Sequence, residues 1–196
     1  MTETVTSLLA ILTVAAQVFL LGMVLLFAAS RVSGRATETW DAIVEALGPI
    51  SLWMAWGVAL VATAGSLYFS EGAHYIPCEF CWFQRIAVYP MTVILGVAAF
   101  RKDSRVIFYA LPLSLAGALI SAYHYQLQRF PNQASQICDP LNPCSLTWVW
   151  KFHYISIPLM ALSAGLLMAT LVTLGYIYSK GTEQGNANAN QSRETF

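Results

Sequence analysis

The stretch 152–179, FHYISIPLMALSAGLLMATLVTLGYIYS, runs without a single Asp, Glu, Lys or Arg. A helix needs about 20 apolar residues to cross the hydrocarbon core of a bilayer, so this run is long enough to span one. Working outward along the chain, residues 5–30, 50–70 and 106–128 are equally free of charge. A shorter run, 86–100, lies between Arg85 and Arg101. Trp82, Phe83 and Gln84 extend it, and the two arginines can snorkel at its ends. Five membrane helices are expected, because lipid offers no partner to an open backbone. The alternating apolar and polar pattern of a membrane barrel is absent. Composition agrees: 57% of the 196 residues are hydrophobic and 10% charged, against roughly a quarter charged in a soluble domain. That excludes a water-soluble globule and a chain disordered throughout. Ten basic residues balance ten acidic ones, so no basic patch is left to neutralise phosphates and nucleic acid is excluded as a partner.

The basic residues orient the helices. Arg31 and Arg35, then Arg101, Lys102 and Arg105, then Lys180 and Arg193 fall in segments that share one side of the membrane. Arg85, Arg129 and Lys151 fall on the other. Seven against three predicts an N-terminus outside and a C-terminus inside. The first run is too long for the core of a signal peptide, and no Lys or Arg precedes it. The chain therefore divides into an N-terminal membrane helix (1–30), a cytoplasmic connector (31–49), a four-helix unit (50–179) and a tail (180–196). In the connector, Trp40, Ile43, Val44 and Leu47 follow a helical spacing. This predicts a short amphipathic helix, lying on the inner face or packed against the bundle. The tail is rich in Asn, Gln, Ser and Gly and is expected to be disordered.

Four cysteines form two pairs. Cys78 and Cys81 enclose Glu79 and Phe80 between the second and third spans, and Cys138 and Cys144 lie between the fourth and fifth. Two crossings separate these loops, so all four cysteines share one side, and the charge count makes it the outer side, where disulfides persist. Three pairings are open. Three chemistries compete: structural disulfides pinning the loops, a four-thiolate zinc site, and a thiol–disulfide relay. The relay is favoured. A disulfide across two residues closes too small a ring to stabilise much by loop entropy, and strained, exposed disulfides are the labile ones. Cys81 also stands where the third span begins, and a helix N-terminus stabilises a thiolate. Arg85 follows one turn later on the same face. Taken singly, Arg85 reads equally as an interface anchor, and His124 as a helix-capping or ligand-facing residue.

The run Pro77-Cys78-Glu79-Phe80-Cys81-Trp82-Phe83-Gln84-Arg85 closely resembles the DsbB family of disulfide bond formation proteins, particularly its BdbC-like branch. The resemblance covers residues 50–179 in the order of parts: helix, Cys-x-x-Cys, helical hairpin, second cysteine pair, helix. The segment His124-Tyr125-Gln126-Leu127-Gln128-Arg129-Phe130-Pro131 is similar to the family's His-containing segment. The resemblance implies an all-α integral membrane protein: a four-helix bundle of the DsbB type plus one extra N-terminal helix. It implies a bacterial cytoplasmic membrane, and an oxidoreductase that reoxidises a thioredoxin-fold, DsbA- or BdbD-like protein and passes the electrons to a quinone, ubiquinone or menaquinone. On that resemblance Cys138 and Cys144 exchange with the partner, Cys138 forming the mixed disulfide. Cys78 and Cys81 form the quinone-side pair, with Cys81 meeting the quinone ring. Arg85 polarises a quinone oxygen and His124 lines the same site.

Two features depart from the family pattern. The first span lies outside the shared four-helix core. The second cysteine pair is closely spaced, and Pro140 and Pro143 stiffen the loop between its members. A loop so short has little freedom to swing toward Cys78. Two rival functions remain. A vitamin K epoxide reductase-like protein does similar chemistry, but there the loop cysteines precede the Cys-x-x-Cys, and here they follow it. A non-enzymatic membrane scaffold with structural disulfides is the other.

Overall fold

A computed structural model describes residues 2–133, 137–139 and 141–194. The described residues form six α-helices: α1 (Thr2–Ser30), α2 (Gly34–Leu47), α3 (Ser51–Leu67), α4 (Glu79–Arg101), α5 (Ile107–Arg129) and α6 (Ile157–Glu194). Five helical segments are long and apolar enough to cross a membrane. These match the five charge-free runs, and the protein is a multi-pass membrane helical bundle. Large apolar side chains such as Leu21, Val24, Val93, Phe100 and Leu119 point outward, as a lipid-facing surface requires.

The core lies between α3, α4, α5 and α6. Ala55, Ala59, Met91, Leu95, Ala110, Leu171 and Val172 are fully buried there. Lipid is as apolar as leucine, so close packing rather than water exclusion holds such helices together, and small residues mark the crossings. At the α5–α6 crossing, a Cβ on Gly165 would stand 3.1 Å from the Ser114 carbonyl oxygen. At the α3–α6 crossing, a Cβ on Gly175 would stand 2.5 Å from Ser51 Oγ. A larger side chain would press on backbone at Gly165 and on the Ser51 and Leu52 side chains at Gly175.

The structure decides one open expectation at the edges and revises two. The connector helix α2 packs against the bundle: Trp40 meets Phe27 of α1 with ring centroids 5.2 Å apart, and Val44 is buried in the core. The last span starts at Ile157, five residues after the charge-free run begins. Before it, Lys151 and Ile155 pair across a tight turn in which Phe152 and His153 take positive φ. The tail, expected to be disordered from 180, continues α6 as far as Glu194. Residues 181–187 are exposed, so this helix extends by propagation from the packed part, at one backbone bond per residue. Pro140 of the expected loop turn and the last two residues of the tail lie outside the described residues.

The extra helix α1 is fastened to the rest. Gln17 of α1 donates to Ser163 Oγ of α6 at 3.1 Å and accepts from the Tyr154 hydroxyl at 3.0 Å. Glu3 pairs with Lys151. On its other flank Leu9 packs onto α3 at Gly65, where an added Cβ would sit 3.1 Å from the leucine.

Candidate redox site

Both cysteine pairs meet at one end of the bundle. Cys78 is the N-cap residue of α4 and Cys81 lies in its first turn. Cys138 and Cys144 are joined by a disulfide. Buried Cys78 and Cys144 pack with Phe80 and Leu127 in one small cluster, against which Cys81 and Cys138 are partly buried. The short loop therefore needs no swing: it is already docked, with Asn142 Nδ2 donating to the Pro77 carbonyl at 3.2 Å. Of the three pairings open in the sequence, this is the one within each pair's own segment. The four-thiolate zinc site is overturned, because two of its four sulfurs are bonded to each other.

Cys78 and Cys81 are free thiols with their sulfurs 3.2 Å apart. The hydrogen bond from Cys81 holds the Cys78 sulfur well below the ordinary thiol range. Burial opposes this, and the adjacent His124 adds to it. The two thiols are adjacent, and the His124 imidazole stands beside Cys78, the first of them.

His124 is 2% exposed and sits between the two pairs. Its Nε2 lies 3.5 Å from Cys78 Sγ and 3.1 Å from the Cys144 carbonyl oxygen. Its Nδ1 lies 3.1 Å from Gln84 Nε2, which fixes the ring from behind. Glu79 Oε2 stands 3.8 Å from Cys144 Sγ.

On the other side of Cys81 a cavity of about 560 Å³ opens between α1, α3, α4 and α6. That volume falls within the range of small-molecule sites. Its cysteine end carries Ser66, Cys81, Gln84, Arg85 and Tyr89, and its remainder is lined almost wholly by apolar side chains. The Arg85 guanidinium is fixed there. Its Nε donates to Ser66 Oγ at 3.1 Å and its Nη2 to the Ser66 carbonyl at 3.2 Å, and it lies over the Trp82 ring. Tyr89 donates to the same Ser66 Oγ. Phe69, Tyr75 and Trp148 stack in series beside the mouth. His124 stands one side chain back from this cavity, against Gln84, which lines it.

Five of the six residues singled out in the sequence thus converge on the sulfur cluster, and Arg85 joins through the cavity that Cys81 also lines. Glu79, Ser66 and Gln84 were not singled out as site residues. Gln84 carries a signal in hindsight, since it is a buried polar residue at the start of a membrane span. Ser66 carries none, because its role depends on how α3 meets α4.

A membrane helical bundle in which a free thiol pair abuts a second, disulfide-bonded pair has the parts of a membrane thiol–disulfide oxidoreductase. The comparisons with known proteins give the family. The model for "Disulfide bond formation protein DsbB" matches residues 49–174, and the chain belongs to that family. It is 44% identical over 126 residues to disulfide bond formation protein C of Bacillus subtilis, covering 64% of this chain and 91% of that protein. It is 40% identical over 128 residues to a probable disulfide formation protein of Coxiella burnetii, covering 64% and 87% respectively. No solved structure matches significantly. Helices α1 and α2 precede the matched residues.

Proposed function

We propose that this protein reoxidises a thioredoxin-fold disulfide donor outside a bacterial cytoplasmic membrane and delivers the electrons to a quinone bound in the cavity beside Cys81. The observation that carries the reading is the continuous path from the docked Cys138–Cys144 disulfide, through Cys78 and Cys81, to that cavity.

The steps follow from thiolate exchange. A thiolate of the reduced partner attacks Cys138, the Cys138–Cys144 bond breaks, and Cys144 leaves with the electron pair. The partner's second thiolate then attacks the mixed disulfide, and the partner departs oxidised. With the Cys78–Cys81 pair in its disulfide form, Cys144 attacks Cys78, the S–S bond breaks, and Cys81 is released as a thiolate into the cavity. Cys138 then displaces Cys78 and restores its own bond to Cys144. The inner pair is left holding the two electrons.

His124 touches Cys78 and the Cys144 backbone, so it holds the attacking and attacked residues together. The charge-tight guanidinium of Arg85 favours anions at the cavity's cysteine end. The donor set fits a quinone: a cation, a hydroxyl and an amide at one end, and an apolar run behind. When bound there, a quinone supplies the oxidising power that returns the Cys78–Cys81 pair to its disulfide.

The seven-to-three distribution of basic residues supports placing the cysteine end outside. The experiment is a trap. The purified protein, with its Cys138–Cys144 disulfide intact, mixed with a reduced thioredoxin-fold donor whose second cysteine is replaced by serine should accumulate a mixed disulfide through Cys138, and Cys138→Ser should give none and leave the two-cysteine donor reduced. Full donor turnover by Cys138→Ser would overturn the assignment.

A further inference from the structure

We infer that α1, the helix outside the family core, is the lipid-side wall of the quinone cavity and selects for the quinone's tail. This rests on the quinone reading above and adds to it a part that the four-helix core lacks. Three observations converge. Leu12, Thr13, Ala16 and Phe19 of α1 line the cavity. The helix is fixed in place at three points on the α6 side, through Glu3 to Lys151 and through Gln17 to Ser163 and Tyr154. It touches α3 on the other side, at Leu9 and Gly65. Without it, the face between α3 and α6 would open directly to lipid.

The register of α1 decides which part of a ligand it meets. Leu9 lies at Gly65, next to Ser66, which holds Arg85. Ala16 and Phe19 follow by seven and ten residues, or about 10 and 15 Å along the helix axis. There the cavity is shared with Met54 of α3 and Leu171 of α6, and Phe19 packs against the buried core. The cation, Gln84 and Tyr89 lie at the cysteine end, while the Thr13 and Ser163 hydroxyls farther along are taken up by the Leu9 carbonyl and by Gln17, so a ring sits at the cysteine end and an apolar chain runs along α1. A four-helix core alone would leave that chain in bulk lipid. Here it lies in a channel, whose width is set by the small Ala16 and by Phe19.

The test measures binding directly as well as turnover. The probes are a decyl-tailed ubiquinone analogue and the same ring without the decyl chain, each titrated calorimetrically into detergent-solubilised full-length protein. Ala16→Trp fills the channel from the α1 side. Val18→Trp adds the same bulk on a face that is 65% exposed. The expected result is a Kd for the decyl analogue raised about tenfold or more by Ala16→Trp, since an apolar pocket discriminates on that scale for each lost contact. The bare ring is expected to bind as in the unaltered protein, and Val18→Trp is expected to change neither. A quinone-free single turnover, in which the Cys138–Cys144 disulfide oxidises one equivalent of donor, should be equal in all three proteins and reports that they are folded. Unchanged binding of the decyl analogue by Ala16→Trp would overturn the inference while leaving the quinone reading intact, and so would equal weakening of both probes. Failure of the unaltered protein to bind either probe would overturn the quinone reading itself, and the inference with it.

Discussion

At the scale of single residues, the site is a chain of contacts whose links can be cut one at a time. His124 is wedged between Cys78 and Cys144 and steadied by Gln84. The Cys78 sulfur is held below the ordinary thiol range by Cys81 first, and by His124 after burial is overcome. A thiol so depressed stays ionised below about pH 8.5, the ordinary thiol value. Its charge stabilises the reduced fold above that pH, and the gain is lost only as pH falls through the depressed value. Thiolate ultraviolet absorbance of the reduced protein should therefore persist at about pH 6, where an ordinary thiol is protonated. His124→Ala should move the titration upward. An unshifted titration in that variant would remove His124 from the electrostatic account. Ser66→Ala takes a hydrogen bond from Arg85 and another from Tyr89. A net loss of about 0.5–1.5 kcal/mol per bond corresponds to a quinone Kd several-fold higher, with donor oxidation by the Cys138–Cys144 disulfide unaffected.

At the scale of elements, the helices were legible in the sequence because the bilayer leaves few alternatives: a long uncharged run either spans it or is buried. The ends were less legible. The start of the last span depends on a turn at Lys151–Ile155 that hydropathy does not register. The helical spacing of Trp40, Ile43, Val44 and Leu47 identified α2 but not its partner, because an amphipathic face fits a headgroup layer as well as it fits Phe27 and the bundle. The two cysteine pairs were legible from their motif. Their meeting was not, since it depends on Asn142 docking the second loop onto Pro77. The helix crossings carry a stability prediction. Gly175→Leu forces a side chain into Ser51 Oγ, 2.5 Å from its first carbon. Overpacking of this kind costs about 1–3 kcal/mol, so thermal unfolding in detergent should begin at clearly lower temperature. Gly22→Leu on α1, with open space around it, should unfold with the unaltered protein.

At the scale of the whole molecule, the bundle holds the docked disulfide at one end and sets Cys81 against an apolar chamber in its side, an arrangement that under the proposed function would serve two half-reactions sharing one pair of electrons. The basic residues fall mostly at the opposite end, so a membrane-impermeant thiol reagent added to intact, reduced cells should label Cys138; labelling only after the membrane is opened would reverse the topology. The central claim is that electrons enter at one pair and leave at the other. It is tested most directly by mixing purified protein with a reduced thioredoxin-fold donor and a soluble quinone and following the quinone's absorbance, with Cys81→Ser alongside. The account predicts loss of one quinone for each donor disulfide formed, no loss without the donor, and none with Cys81→Ser. Oxidation of donor beyond the equivalents that the protein's own disulfides supply with the quinone untouched, or quinone loss that survives Cys81→Ser, would contradict it.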